Sequence, residues 1–314
     1  MMKLFTFLIT LLLCLATTAQ TTINEENIKL STDNGELYGS LTMADANKSD
    51  VALIIAGSGA TDRNCNAGFT LYSNAYKILA EQLAMNGIST LRYDKRGVGE
   101  SAPAKIAEGD MRFDRFIDDA VQWIELLKAD KRFKKVYIIG HSQGSLVGMM
   151  AAQQTRADGF ISISGAGRPI DQVLQNQLKP KLPEKVYEEA VMLFDTLRMG
   201  QTTQAVNPYL YSIFRPSLQA YMISWMQYNP ADEITKLDIP LLLINGTTDI
   251  QVSVDNAQLL HEAAPKAQLQ LIEGMNHVLK DAPQELKANM ATYSNGTLPV
   301  NTQLVECLVE FMKH

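Results

Sequence analysis

The sequence predicts an α/β fold, a mostly parallel central sheet covered by helices on both of its faces. Three observations carry that expectation. Short apolar runs of strand length recur along the chain, and segments with helical periodicity alternate with them. That alternation is the pattern of a sheet buried on both sides. One of the runs, residues 136–139, ends directly in Gly140-His141-Ser142-Gln143-Gly144, and a helix-capable stretch follows. A serine set between glycines at a strand-to-helix boundary marks a tight, strained turn that lifts a hydroxyl above the edge of a sheet.

From the N-terminus, residues 28–31 and 37–43 flank Asp33-Asn34-Gly35 and read as a hairpin. Residues 51–56 form an apolar run fit for a central strand. Residues 72–85 place Tyr76, Leu79, Ala80 and Leu83 on one helical face, and residues 89–93 are the next strand. Residues 116–127 put Ile117, Val121, Ile124 and Leu127 on one face of a strong helix. The runs at 160–164, 240–244 and 268–272 are further strands, with a helix over 254–263 and a closing helix over 302–313. Residues 168–237 break this rhythm. They are helix-capable, rich in aromatic and Met residues, and far longer than an ordinary connection. They read as a helical lid inserted into the main domain. Most of its aromatic and Met side chains are expected to pack the lid's own core, and the rest to roof an acyl or aromatic pocket.

The first residues have the form of a secretory signal: Lys3, an apolar stretch over 5–15, then Ala16-Thr17-Thr18-Ala19. The stretch is short for a membrane span, and Leu13 is too large to precede a lipid-bearing Cys14. Cleavage near Ala19 or Gln20 is expected, giving a secreted or periplasmic chain with no stable membrane span. Removing residues 1–19 moves the net charge from −6 to −7, and this acidic balance argues against nucleic acid as a partner. One domain over 20–314 is expected. Its two cysteines, Cys65 and Cys307, fit either a disulfide or two free thiols. No Cys/His cluster has metal-ligand spacing, so neither a metal nor another cofactor is expected. Sequons begin at Asn47, Asn245 and Asn295.

A serine hydroxyl is a poor nucleophile until a base takes its proton, and histidine suits that task. The chain has four histidines. His141 is adjacent to the serine in the turn and must point away from its hydroxyl. His261 falls within a helix, and His314 is the last residue. His277 lies in Glu273-Gly274-Met275-Asn276-His277, directly after the last strand, where sites form in parallel sheets. It is therefore the base by elimination and by position. The imidazole needs a carboxylate partner, and Asp249 follows the strand before it in Asn245-Gly246-Thr247-Thr248-Asp249. Asp94 lies in a turn nearer the N-terminus, Asp281 is expected to cap a helix, and Glu273 ends a strand. The chain order is then Ser142, Asp249, His277. An oxyanion hole would take the Gln143 backbone N–H and a second donor from Gly57-Ser58-Gly59-Ala60, with Ser58 first and Gly59 second.

These stretches together resemble the α/β-hydrolase superfamily over nearly all of the mature length. The likeness is greatest to its serine-aminopeptidase-like and lysophospholipase-like branch, which includes many secreted bacterial esterases. Carrying it are residues 56–64, Tyr93-Asp94-Lys95-Arg96-Gly97-Val98-Gly99-Glu100-Ser101, the serine turn, Asn245-Gly246-Thr247-Thr248-Asp249 and Gly274-Met275-Asn276-His277. The resemblance implies a Ser142–His277–Asp249 triad under an inserted lid, and a structural role for the 96–101 turn. The His-Gly pair common in the family at the oxyanion strand is Ala56-Gly57 here, so the second donor stays open between Ser58 and Gly59. The expected activity is hydrolysis of a small-molecule ester or other acyl substrate through an acyl-enzyme. An aminopeptidase or thioesterase on the same triad is the nearest alternative, and a non-catalytic binding protein of the same fold is the alternative of a different class. An aminopeptidase would need lid carboxylates for the substrate's amine, and Glu184, Glu188, Glu189, Asp195, Asp232 and Glu233 are available.

Overall fold

A computed structural model describes residues 23–45 and 48–313. The signal segment, Cys14, the sequon asparagine Asn47 and His314 lie outside the described residues. The chain begins with the antiparallel hairpin of β1 (Asn24–Thr32) and β2 (Gly35–Met43). There follow β3 (Ser49–Ile55), a ribbon of β4 (Asn66–Ala67) and β5 (Leu71–Tyr72), α1 (Ala75–Met85) and β6 (Ile88–Tyr93). Next come α2 (Asp114–Ala129), β7 (Phe133–His141), α3 (Gln143–Thr155) and β8 (Gly159–Ile163). Five helices then run without a strand: α4 (Ile170–Leu178), α5 (Glu184–Arg198), α6 (Tyr211–Phe214), α7 (Pro216–Met226) and α8 (Pro230–Ile234). The last part holds β9 (Leu241–Gly246), α9 (Val254–Ala263), β10 (Gln268–Ile272), α10 (Leu286–Ala291) and α11 (Thr302–Lys313).

The eight long strands form one sheet in the order β1-β2-β6-β3-β7-β8-β9-β10. β2 is antiparallel to β1 and β6, and every later pairing is parallel. The period-two alternation of a strand divides its side chains between two cores. Leu53 and Ile55 of β3 pack with Trp123, Ile124 and Val147 from α2 and α3. Ala52 and Ile54 pack with Tyr76, Leu79 and Leu308 from α1 and α11. Helices therefore cover both faces, as the near-continuous apolar strands require. Among the described residues no helix is long and apolar enough to cross a membrane. Phe194, Leu197, Leu210, Phe214 and Met222 of the 170–226 helices are buried against one another in a third, smaller cluster.

One boundary departs from the sequence reading. The helix expected over 72–85 starts at Ala75, and Tyr72 belongs to the ribbon instead. Asn66 explains the difference: its amide donates to Asn74 Oδ1 (2.9 Å) and its oxygen accepts from Asn74 N (3.0 Å). That pairing closes the ribbon against the start of α1, which periodicity alone cannot show.

The turn after β6 is built on buried charge. Asp94 accepts from Arg63 Nε (3.0 Å) and from the backbone N–H groups of Arg63 and Glu100. A Cβ at Gly99 would lie 2.4 Å from Asp94 Oδ2, so only glycine fits there. Arg96 reaches across to Asp119 on α2, with Nε 2.8 Å from Oδ2 and a terminal nitrogen 2.7 Å from Oδ1. Burial pushes the Asp119 carboxyl up to about 6, against the pull of the Arg96 guanidinium. Asp119→Ala leaves the buried Arg96 with only the exposed Asp33, 3.7 Å away, as a counter-charge and is expected to cost about 3–5 kcal/mol. The midpoint of urea unfolding checks it, and a loss under about 1 kcal/mol would contradict it.

Candidate active site

Ser142 sits between the end of β7 and the start of α3 with φ 54° and ψ −119°, a conformation that costs a non-glycine residue about 1–3 kcal/mol. The flanking glycines make it possible. A Cβ at Gly144 would lie 2.2 Å from the Ile55 carbonyl oxygen, and one at Gly140 would lie 2.4 Å from the Gly144 oxygen. The turn can close only because both positions lack a side chain. Ser142 N–H donates to the Ile163 carbonyl (2.9 Å), which ties the turn to β8.

Asp249 and His277 come from the loops that follow β9 and β10. These loops meet because Gly246, at the end of β9, has no side chain: a Cβ there would fall 1.9 Å from the Met275 oxygen. His277 Nδ1 lies 2.7 Å from Asp249 Oδ2. The other oxygen, Oδ1, accepts from the backbone N–H groups of Gln251 (2.8 Å) and Val252 (2.9 Å). Burial pushes the Asp249 carboxyl up, but the adjacent His277 ring and these hydrogen bonds outweigh it and hold it below the usual carboxylate range. An ionised Asp249 accepts only, so Nδ1 carries the donated proton and Nε2 is left as the basic nitrogen.

His141 points away from the serine, as its place in the turn requires, and is almost fully buried. Its Nε2 is 2.9 Å from the His277 carbonyl oxygen and its Nδ1 is 2.6 Å from the Tyr76 hydroxyl. The carbonyl can only accept, so Nε2 donates and Nδ1 accepts from Tyr76. The Tyr76 oxygen accepts in turn from Gly57 N–H (3.2 Å). Burial, reinforced by the neighbouring His277, pushes His141 down to about 3, so it stays neutral. This chain joins the loops carrying Gly57, Ser142 and His277.

Lys95 is the residue that sequence reasoning missed. Its Nζ donates to the Gly57 carbonyl and to the Gly59 carbonyl (2.7 Å) from a nearly buried position. Burial brings its amine down to about 7. The only sequence signal was its place in a glycine-rich turn, where a lysine ordinarily reads as solvated. Of the rejected carboxylates, Asp94 is committed to Arg63 and Glu273 is exposed. Asp281 does not cap a helix: it accepts from Asn301 Nδ2 (2.5 Å), and α10 starts later, at Leu286. Cys65 is buried, Cys307 is half-buried, and the two are unpaired.

Two cavities meet at Ser142. One of about 690 Å³ is lined by Gly57, Ser58, Gly59, Ser142 and His277, and also by Leu286 and Met290. The other, of about 160 Å³, is lined by Ser142, Gln143 and Leu146 together with Val173, Leu174 and Trp225 from the inserted helices. Ser142, Asp249, His277, Gln143, Ser58 and Gly59 are thus gathered at one end of the sheet.

A family model described as serine aminopeptidase, S33, matches residues 65–282. An esterase of Thermotoga maritima, EstD, is 28% identical over 72% of this chain, and the match spans 54% of its own length. A monoglyceride lipase of Rattus norvegicus is 25% identical over 67% of this chain and 73% of its own. The structure of Est1E from Butyrivibrio proteoclasticus with ferulic acid bound shares the fold. Its TM-score is 0.61 at 18% identity, covering 91% of this chain and 100% of that one.

Tyr76→Phe removes the hydroxyl between Gly57 N–H and His141 Nδ1 and leaves both without that partner. A loss of about 1–3 kcal/mol in urea unfolding is expected, and an unchanged midpoint would show that the hydroxyl holds neither group.

Proposed function

The chain belongs to the serine aminopeptidase S33 family of α/β-hydrolases, and on that premise we propose that it hydrolyses carboxylic esters through a Ser142–His277–Asp249 triad. The observation that carries the reading is the Asp249–His277 hydrogen bond of 2.7 Å beside a cavity that His277 shares with Ser142. In the proposed reaction Ser142 Oγ attacks the acyl carbonyl while His277 Nε2 takes its proton, and Asp249 steadies the imidazolium. The tetrahedral oxyanion is held by the Gln143 and Ser58 N–H groups. As the intermediate collapses, the C–O bond breaks and His277 passes its proton to the leaving alcohol. Water, deprotonated by His277, then attacks the acyl-enzyme and releases the acid and free Ser142.

An ester fits the site better than the N-terminus of a peptide. A free ammonium beside the scissile carbonyl needs a carboxylate partner. Among the described residues no Asp or Glu lines either cavity, and Arg168 lines the smaller one. Export of the chain after loss of residues 1–19 belongs to the same proposal and rests on the sequence.

Lys95 supports Ser58 over Gly59 as the second donor. The C=O and N–H of a trans peptide point in opposite directions. With the Gly57 carbonyl held by Lys95, the Ser58 N–H is turned away from the lysine, and Ser58 lines both cavities that meet at Ser142. The Ser58 carbonyl is engaged separately, by Thr61 Oγ1 at 2.9 Å.

A fluorophosphonate probe is expected to label the wild type and not Ser142→Ala, while Asp249→Asn lowers kcat about ten-thousand-fold with an unchanged melting curve. Labelling that survives in Ser142→Ala, or near-normal turnover in Asp249→Asn, would overturn the triad. Lys95→Met, which keeps an unbranched apolar stem and removes both hydrogen bonds, is expected to lower kcat about a hundredfold or more with KM nearly constant. A rise in KM at constant kcat would assign Lys95 to substrate binding instead.

A further inference from the structure

We infer that this site is built for esters joining a small apolar acyl group to a larger alcohol with an apolar face, an inference that rests on the triad reading above. The base must return its proton to the leaving oxygen and so must lie within hydrogen-bond reach of it. His277 lines the cavity of about 690 Å³ and not the one of about 160 Å³. The alcohol therefore leaves through the larger cavity, and the acyl group occupies the smaller one on the other side of Ser142. Gln177 and Gln251 line both, and the Gln177 amide donates to the Gln251 carbonyl at 3.0 Å. This contact stands as a partition that keeps the two substrate halves in separate spaces.

The smaller cavity sets the acyl size. Its volume is close to that of an apolar cavity, about 150 Å³, that takes benzene. A single ring or a chain of about six carbons fills it. Two of its polar side chains have partners of their own: Arg168 pairs with Asp255 (2.6 Å), and the Gln143 amide donates to Tyr221 Oη (2.6 Å). Beyond the two serines and the Gln177–Gln251 pair, the wall is apolar, with Leu146, Val173, Leu174, Trp225 and Val252. The larger cavity differs in character. Ile250, Leu286 and Met290 line it yet are 39%, 62% and 49% exposed. Among the described residues these apolar side chains are left largely open, and the alcohol half of a substrate lying along them would cover them.

Two ester series test the assignment. The first varies the acyl group of a nitrophenyl ester from acetate through butyrate, hexanoate and octanoate to dodecanoate. The second varies the alcohol of a butyrate from methyl to hexyl to naphthylmethyl. In the wild type, kcat/KM is expected to peak at butyrate or hexanoate and to fall at least about tenfold by dodecanoate. In the second series it is expected to rise at least about tenfold from methyl to the larger alcohols. Val173→Phe fills the smaller cavity and should lower the hexanoate-to-acetate ratio about tenfold or more without moving the alcohol preference. Val173→Ala, which asks less of the fold, should move the acyl optimum to a longer chain. Leu286→Ala with Met290→Ala should flatten the alcohol series alone. A dodecanoate optimum, a methyl preference, or Val173 variants that move the alcohol series would overturn the assignment while leaving Ser142-dependent hydrolysis intact. Absence of ester hydrolysis, or hydrolysis that survives in Ser142→Ala, would overturn the triad reading itself.

Discussion

The first turn of α3 approaches the end of β3 so closely that no side chain fits between them, and the geometry of the site follows from that contact. Gly144 lies against the Ile55 carbonyl, and Gly140 lies against Gly144. A larger residue at either place would push α3 off the sheet and relax the φ of 54° that Ser142 adopts. The strain persists because its surroundings over-determine it. Ser142 N–H is bonded to β8, and Ser145 Oγ to Ser162 Oγ at 2.7 Å. β3 also runs directly into Gly57-Ser58-Gly59, so one strand end supports both the serine turn and the loop opposite it. Gly246 repeats the device at the next junction, where the loops bearing Asp249 and His277 converge.

Around this close packing the chain uses buried polar groups as fixed spacers. Three successive residues of one turn reach two neighbours: Asp94 goes to Arg63 and Lys95 to the Gly57 and Gly59 carbonyls, all in the loop after β3, and Arg96 goes to Asp119 on α2. The two ion pairs satisfy their charges mutually, which is the condition for burying them. Among the described residues Lys95 has no carboxylate partner, only two carbonyl oxygens and the Phe116 ring 5.6 Å away, and burial lowers its amine to about 7. The amine has enough N–H groups to donate to both carbonyls whether charged or neutral, so the loop is held in either state. The Gly57–Tyr76–His141–His277 chain works similarly with a neutral ring, since His141 buried at about 3 stays uncharged while bonded on both nitrogens.

Much of this was legible in the sequence, and the reason is chemical economy. With four histidines in the chain, position alone separated His277 from the rest, and strand order then singled out Asp249. The alternation of strands and helices fixed the sheet type because a parallel sheet buried on both faces leaves little freedom in pattern. The illegible parts share one property: they depend on contacts between segments distant in sequence. A lysine gives no local sign that it will be buried, and Tyr76 reads as one more apolar residue on a helix face. Asn66 diverts the start of α1 through a side-chain pair that no periodicity records. The short, exposed α10 has too little apolar pattern to be seen, and with it went the expectation that Asp281 caps a helix.

The inserted helices do more than cover the sheet. They have a core of their own in Phe194, Phe214 and Met222. They are also joined to the main body along a specific seam. Trp225 stacks on Phe113 at 5.4 Å and nearly parallel, Phe113 N–H donates to Ser224 Oγ (2.8 Å), and Tyr228 Oη donates to Asp114 (2.5 Å). The same helix, α7, sends Tyr221 to the side chain of Gln143, the residue after Ser142. Trp225 and Tyr221 are one helical turn apart on α7, so the wall of the smaller cavity and the bond to Gln143 are carried by the same stretch of helix. The dimension of that cavity is thereby measured from Ser142 itself. A flexible cover resting only on its own core would have no such reference, and its pocket would vary with every shift of the helices. Here the size of the smaller cavity and the position of the Ser142 hydroxyl are set by a single chain of contacts.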